Sequence, residues 1–199
     1  MKLDRPRVLA WLRREVSPER LAHILGVEEL AAELATLHGA NPQQAAVAGL
    51  LHDLAKFFPP RRLLRLARQE QLPLDPILKA SPHLLHAEIS AVIARQEFGV
   101  KNAKILSAIR CHTLGQPRMG KLAVIVFVAD ALEPQRGHSE VLERMRYTAR
   151  HNLPRALRQT CDYTLGYLLA QNKTIHPRLL ETRNWALKAE KKHISKNLS

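Results

Sequence analysis

Apolar side chains recur at intervals of three and four residues along most of this chain, which is the spacing of amphipathic helices. In residues 4–16, for example, Val8 and Leu12 fall on one helical face. Ser17 and Asn41 each precede a proline, the pattern of an N-cap followed by the first residue of a helix. Further helices are predicted at residues 17–37, 42–57, 61–71, 84–98, 102–113, 119–133, 138–150, 153–171 and 177–192. The pattern predicts an all-α protein.

The most apolar run and the most proline-rich stretch each need a separate argument. The run from Leu122 to Ala129 is rich in β-branched residues, which would also suit a buried strand. Because no second strand candidate of similar quality exists to pair with it, we predict a buried central helix that carries Asp130 near its end. A helix irregularity is expected at Gly26, and prolines at positions 73, 76 and 82 indicate a crossing made mostly of loop.

Composition is typical of a globular protein with one domain. The 199 residues are enough for one sizeable core, and no Gly/Ser-rich linker divides them. No apolar stretch approaches the roughly 20 residues of a membrane span, and the N-terminus lacks the apolar core of a signal peptide, so no membrane partner is expected. Cys111 and Cys161 are the only cysteines, which suits a reducing cytoplasm. Cys111 stands beside His112, but neighbours on a helix point in different directions, which argues against a thiol nucleophile.

Positive charge is concentrated in the second half of the chain. The formal net charge is +13; residues 1–100 carry 13 Lys and Arg against 11 Asp and Glu, and residues 101–199 carry 18 against 7. This asymmetry fits an anionic partner such as a nucleotide, a polyphosphate or a nucleic acid, or simply a basic solvated surface. Nucleic acid is disfavoured because no zinc-finger or basic-zipper pattern is present and only nine aromatic residues are available to stack on bases.

The candidate chemistry begins with the doublet His52-Asp53, which ends the apolar run 45–51. Desolvating two ionisable groups is costly unless they are paired or bind a metal. Suitable partners lie elsewhere in the predicted helices: His23, His86, His112 and Asp130. Each of these residues alone also has a structural interpretation, as a helix cap or an interhelical polar pair. The ordered set predicts a metal site built from several helices.

Imidazole and carboxylate groups together suit divalent cations that activate water. Two neutral nitrogens and two anionic oxygens come from His23, His52, Asp53 and Asp130. Such a set leaves coordination positions for water and substrate, and it favours Fe, Mn, Co or Zn over Ca without choosing among them. Because a bound cation lowers the pKa of its water and polarises a phosphoryl oxygen, the pattern predicts metal-assisted hydrolysis.

The order His…His-Asp…Asp on a helical chain resembles the HD-domain metal-dependent phosphohydrolases. Four segments narrow the resemblance to the YqeK family: AGLLHDLAK at 48–56, HLLHA at 83–87, IRCHTLG at 109–115 and VADALEPQR at 128–136. Leu114 departs from the family pattern, which has a threonine there. The resemblance covers most of residues 17–187 and implies an HD-domain helical bundle, with residues 1–199 forming a single domain.

The YqeK family consists of symmetrical bis(5′-nucleosyl)-tetraphosphatases, which cut diadenosine tetraphosphate into two ADP. The resemblance therefore implies attack by a metal-bound water on a dinucleoside polyphosphate, with ADP as the product and iron as the metal. It assigns the metal to His23, His52, Asp53 and Asp130. It assigns the nucleotide and its phosphates to Arg20, Lys56, His86, His112, Arg136, Thr174, Ile175 and His176.

Several alternatives stay open at this point. The predicted catalytic residues are Asp53, His86 and His112. Either histidine could protonate the leaving ADP, or the two histidines could hold a second metal. The substrate could be another nucleotide or phosphate ester, and the protein could also bind metal without catalysing a reaction. A homodimer is compatible with the sequence. The basic tail, residues 188–199, is expected to fray beyond the last helix and to be dispensable for hydrolysis.

Overall fold

A computed structural model of the protein describes residues 3–197, with side chains described as far as Lys192. Within this range the chain forms eleven α-helices and no strand, which confirms the all-α prediction. The helices are α1 (Arg5–Glu15), α2 (Pro18–Leu37), α3 (Pro42–Leu51), α4 (Pro60–Gln69), α5 (Pro76–Ala80), α6 (His86–Gln96), α7 (Ala103–Cys111), α8 (Lys121–Leu132), α9 (Glu140–His151), α10 (Leu153–Ala170) and α11 (Pro177–Asn197). Short 3₁₀ turns at Pro82–Leu85 and Pro134–Arg136 precede α6 and follow α8.

Helix α8 is the centre of the bundle. All residues from Leu122 to Ala129 are buried, and α8 packs against α2, α3, α7, α9 and α10. Burial on every side outweighs the weak helix propensity of its valines and isoleucine, so the predicted central helix is confirmed. Asp130 follows in the last turn, half-buried at the end of the apolar segment.

Helices α2 and α3 lie unusually close to one another because a glycine stands at their contact. A Cβ placed on Gly49 would lie 2.9 Å from Val27 O and from Glu28 Cα on α2. The prediction of a helix irregularity at Gly26 is wrong, since α2 runs through this position without a break. A Cβ on Gly26 would lie 2.5 Å from Glu133 Oε2, so the glycine makes room for a neighbouring side chain.

Helix α3 is shorter than the predicted 42–57, and it ends at Leu51. The ring of His52 explains this end, because His52 Nδ1 lies 2.6 Å from the Gly49 carbonyl. That carbonyl would otherwise accept the Asp53 amide in the next helical turn. Residues 52–57 continue as consecutive turns, in which the Lys56 amide donates to Asp53 O at 3.1 Å. The doublet therefore lies at a helix end and not within a helix.

Two further boundaries differ from the prediction. The proline-rich crossing contains the short helix α5, which starts at Pro76 with Asp75 as its N-cap, Asp75 Oδ1 accepting the Leu78 amide at 2.8 Å. The tail expected to fray from Lys188 is helical as far as Asn197, and residues 198–199 lie outside the described part of the chain. Glu190 is buried and accepts a hydrogen bond from Arg158 on α10, which ties the tail to the bundle.

Candidate metal centre

Six side chains from five helices meet in the interior of the bundle. They are His23 on α2, His52 and Asp53 at the end of α3, His86 at the start of α6, His112 at the end of α7, and Asp130 on α8. His23 Nε2 lies 3.1 Å from Asp130 Oδ1, and His112 Nε2 lies 3.4 Å from Asp53 Oδ1. His86 Nε2 is 3.3 Å from the same Asp53 oxygen. All four proposed metal ligands are therefore in one cluster.

Three of the histidines are oriented by the same local contact. In His52, His86 and His112, Nδ1 lies 2.6, 2.6 and 2.7 Å from the carbonyl of the residue three positions earlier. A carbonyl only accepts, so each Nδ1 donates its proton, and Nε2 of each ring is directed into the cluster. Backbone geometry at helix ends thus presents the nitrogen that a metal would bind.

The residues fit a divalent cation. Among the described residues, six buried side-chain atoms make no hydrogen bond of good geometry, and three of these belong to the cluster: His23 Nε2, His52 Nε2 and Asp53 Oδ1. Buried polar atoms are rarely left without a partner unless something else satisfies them. Two overlapping groups have ligand atoms within 4.8 Å of one another: His23, His52 and Asp130, and His52, Asp53 and His112. Their mixed nitrogen and oxygen donors are those of Fe, Mn, Co or Zn sites.

The two carboxylates are held in the charged form. Burial would raise the pKa of Asp53, but the neighbouring imidazoles of His52, His112 and His86 hold it well below its usual range. Burial acts on Asp130 in the same direction, and His23 and Arg136 hold the pKa of that group well below its usual range too. Two ionised carboxylates supply the negative charge that a divalent cation requires.

Three basic side chains surround the cluster. Arg20 Nη1 donates to Asp53 Oδ2 at 3.2 Å, and Arg136 Nη2 donates to Asp130 Oδ1 at 2.6 Å. Lys56 Nζ lies 3.3 Å from His86 Nε2. The structure therefore places Arg20, Lys56 and Arg136 beside the cluster, and their role in binding phosphate stays a prediction.

Two cavities border the cluster, one beside His112 and Asp130 and the other beside His23. A cavity of about 340 Å³ is lined by Lys56, His112, Asp130, Arg136, Tyr163 and Tyr167, among others. A second cavity of about 280 Å³ is lined by Arg20, His23, Phe57, Glu133 and Arg136, with the start of α2. We call them the tyrosine cavity and the phenylalanine cavity. A larger cavity of about 570 Å³, beside Lys104 and Lys121, contains none of the predicted site residues.

The last predicted segment lies apart from both cavities. His176 Nε2 is 2.8 Å from Asp75 Oδ2, and the buried His176 ring lines a different cavity with Glu88 and Arg178. Thr174 is exposed and Ile175 half-buried, and neither lines the tyrosine or the phenylalanine cavity. The nucleotide role of residues 174–176 stays a prediction.

Two buried charged residues were missed by the sequence analysis. Glu133 Oε1 lies 2.8 Å from His23 Nδ1, and its side chain is fully buried. Arg146 on α9 donates from Nε to Leu132 O at 2.7 Å and from Nη2 to Glu133 O at 3.0 Å. The signal for Glu133 was its position three residues after Asp130, which places both on one helical face.

The two cysteines are free and buried, and neither belongs to the cluster. Burial raises the pKa of Cys111, and it raises the pKa of Cys161 to about 12. A thiol that stays protonated is a poor nucleophile, which agrees with the prediction against cysteine chemistry.

Comparisons with known proteins agree with this geometry. The HD domain family model matches residues 20–135, which contain all six cluster residues. The chain is 34% identical over 183 residues to the symmetrical bis(5′-nucleosyl)-tetraphosphatase of Bacillus subtilis, covering 92% of this chain and 97% of the relative. The protein of the same name from Halalkalibacterium halodurans is 36% identical over 189 residues, covering 95% and 100%.

A solved structure shows the same fold. It is the crystal structure of a predicted HD superfamily hydrolase involved in NAD metabolism from Clostridium acetobutylicum. The two structures have a TM-score of 0.89 at 27% sequence identity, over 94% of this chain and 98% of the other. The chain therefore belongs to the HD-domain family and, within it, to the YqeK family that its motifs resemble.

Proposed function

We propose that this protein is a metal-dependent phosphohydrolase that cleaves diadenosine tetraphosphate into two ADP. The observation that carries the proposal is a buried His/Asp cluster with three unpartnered ligand atoms, bordered by cavities that contain Lys56, Arg20 and Arg136. A cation site beside basic side chains suits an anionic polyphosphate. The relatives that align over nearly the whole chain bear the name of this activity. In the part of the chain that the structure describes, no helix is long and apolar enough to cross a membrane.

The metal would be held by His23, His52, Asp53 and Asp130. A divalent cation bound there supplies an acidic water and polarises a phosphoryl oxygen. We propose iron, with Mn, Co and Zn as the alternatives that the same donors accept. A second cation beside His86 and His112 is the alternative role of these rings, and metal analysis per chain distinguishes one ion from two.

The surrounding groups bind phosphate and transfer a proton. Lys56 and Arg136 can donate to the non-bridging oxygens of a polyphosphate in the tyrosine cavity, which offsets the charge that develops during cleavage. His86 Nε2 faces His112 Nε2 at 3.0 Å, so both rings are candidates for the proton donor. Burial lowers the pKa of His86 to about 4, although Asp53 opposes this effect. His86 or His112 is proposed to protonate the leaving ADP.

Further proposals concern the nucleotide contacts, inhibition by the product, the location of the protein and its oligomeric state. Thr174, Ile175 and His176 are proposed as nucleotide contacts only on the resemblance to the family, since they line neither cavity beside the cluster. ADP is expected to inhibit as a product. A cytoplasmic location suits the two free cysteines, and a homodimer is an alternative to a monomer.

The test is a substrate panel assayed with Fe, Mn, Co and Zn in turn, with products separated by chromatography. Diadenosine tetraphosphate should give ADP as nearly the sole product, and a chelator should abolish the reaction. Asp53→Ala should lose both metal and activity while remaining helical by circular dichroism. Asp162→Ala is the matched control, because Asp162 forms ion pairs with Arg158 and Arg183 away from the cluster.

Two outcomes would overturn parts of the proposal. AMP and ATP as the main products would reject symmetrical cleavage and keep the metal site. Absence of hydrolysis with all four metals would reject this substrate and favour another nucleotide or phosphate ester. Unchanged metal content in Asp53→Ala would reject the ligand assignment.

A further inference from the structure

The two cavities beside the cluster have parallel chemistry. The tyrosine cavity combines Lys56 and Arg136 with the exposed rings of Tyr163 and Tyr167. The phenylalanine cavity combines Arg20 and Arg136 with the ring of Phe57, which is 53% exposed. Each cavity thus has basic groups close to the cluster and at least one aromatic face open to solvent.

Arg136 and the cluster join the two cavities. Arg136 lines both, and it is anchored by hydrogen bonds from Nε to Asp130 O at 2.8 Å and from Nη2 to Asp130 Oδ1 at 2.6 Å. His23 lines the phenylalanine cavity, and His112 lines the tyrosine cavity. A ligand that extends across the cluster from His23 to His112 would therefore reach both cavities.

The substrate of the proposed reaction has two identical halves. Cleavage between its two inner phosphorus atoms requires the middle of the tetraphosphate to lie at the cluster. Each nucleoside diphosphate half then extends to one side. A site built for a single half would leave the second base in solvent, whereas this structure has two cavities beside the cluster that both combine aromatic and cationic residues.

We propose that the phenylalanine cavity is the subsite for the second nucleoside diphosphate half, with Phe57 stacking on its base. This inference rests on the proposed function. Arg20 donates to the phosphate of that half, since its guanidinium already points at the cluster through Asp53 at 3.2 Å. Glu19 also lines this cavity, and its carboxylate suits the hydroxyl groups of the ribose.

The exposed ring of Phe57 supports this assignment. Phe57 ends the turn that begins with the His52-Asp53 doublet, so its position is fixed relative to the metal ligands. Its neighbour Phe58 is buried and carries Arg62 over its ring at 3.4 Å from the centroid, which anchors the turn. Proteins that bind nucleic-acid bases without sequence preference place exposed aromatic rings beside basic groups, and the bases stack on those rings.

The experiment compares two substrates on the metal-loaded protein. Diadenosine tetraphosphate has two bases, whereas adenosine 5′-tetraphosphate has the same phosphates and one base. In Phe57→Ala, we expect KM for the first to rise about tenfold or more, because one stacking contact is lost. KM for the second should change by no more than about twofold. Phe57→Trp should restore binding of the two-base substrate.

Titration with ADP gives a second measurement. The wild-type protein should bind two ADP per chain. Phe57→Ala should bind only one ADP, at the site of higher affinity, and should lose the weaker site. Tyr147→Ala is the matched control, because Tyr147 is an exposed aromatic residue on α9 that lines neither cavity. This variant should behave as the wild type in both assays.

The outcomes separate the inference from the function on which it rests. If the wild type hydrolyses diadenosine tetraphosphate and Phe57→Ala has unchanged kinetics and ADP stoichiometry, the second subsite is rejected and the function stands. An equal loss on both substrates would also reject it, because Phe57 would then affect the cluster itself. If the wild type hydrolyses neither substrate, the function fails, and the ADP stoichiometry still decides whether Phe57 binds a nucleotide.

Discussion

His23 Nδ1 lies 2.8 Å from Glu133 Oε1, and both side chains are buried at the contact between α2 and the end of α8. The carboxylate fixes the ring so that Nε2 points towards Asp130. The other oxygen of Glu133 accepts the Gln135 amide at 2.7 Å. A histidine that binds metal is commonly oriented by a carboxylate on its second nitrogen. Glu133 is thus a positioning residue for the proposed metal ligand His23.

Glu133→Gln should weaken metal binding without unfolding the protein. The amide keeps the size of the side chain but removes the charge that supports His23, and such changes typically cost about tenfold or more in affinity. Metal titration of the apo protein measures this loss. Gly26→Ala should have a similar effect, because its Cβ would lie 2.5 Å from Glu133 Oε2. Glu140→Gln, on an exposed face of α9, is the control; an equal effect there would contradict the assignment.

Arg136→Ala should raise KM for diadenosine tetraphosphate about tenfold or more while metal content stays at the wild-type level. The guanidinium lines both cavities and is suited to phosphate by its fork of donors. Steady-state kinetics and metal analysis of the same preparation test this. Arg144→Ala serves as the control, since Arg144 pairs with Glu140 on the surface. Loss of metal in Arg136→Ala would instead show that Arg136 acts by holding Asp130.

Gly49→Ala should lower the free energy of unfolding by about 1–3 kcal/mol, because the added methyl group is forced against α2. The same shift would separate His23 from His52, so metal affinity should fall with stability. Gly166→Ala is the matched control on α10, where an added Cβ meets nothing within 4 Å. It should stabilise the protein by about 0.5–1 kcal/mol. Chemical denaturation measures both, and equal effects would contradict the close approach of α2 and α3.

Truncation after Leu187 should lower the free energy of unfolding by about 1–3 kcal/mol and leave kcat and KM unchanged. The truncation removes buried Glu190, the hydrogen-bond partner of Arg158. Truncation after Lys192 keeps this contact and should lower the free energy of unfolding by less than truncation after Leu187 does. Thermal melts and kinetics at a temperature where both proteins are folded provide the comparison. Loss of hydrolysis in a folded truncation would place the tail in the active site.

Local sequence patterns determined the helices and identified the residues that we propose as metal ligands. Periodic apolar positions and the pairs Ser17-Pro18 and Asn41-Pro42 depend on contacts within a few residues, so they can be interpreted without the fold. The central position of α8 followed from its uniformly apolar composition. The ligand set followed from the cost of burying His52 and Asp53 without a partner, together with the order of motifs shared with the family.

Tertiary structure alone decided where α3 ends, how His23 is oriented and which of the two cavities each basic residue lines. The early end of α3 depends on the His52 ring reaching the Gly49 carbonyl, a competition between side chain and backbone that periodicity does not reveal. The contact of His23 with Glu133 joins residues 110 positions apart. This contact forms only if α2 and the end of α8 are packed in positions that are correct to within about one ångström. For the same reason, only the packed bundle places Arg20 in one cavity and Lys56 in the other.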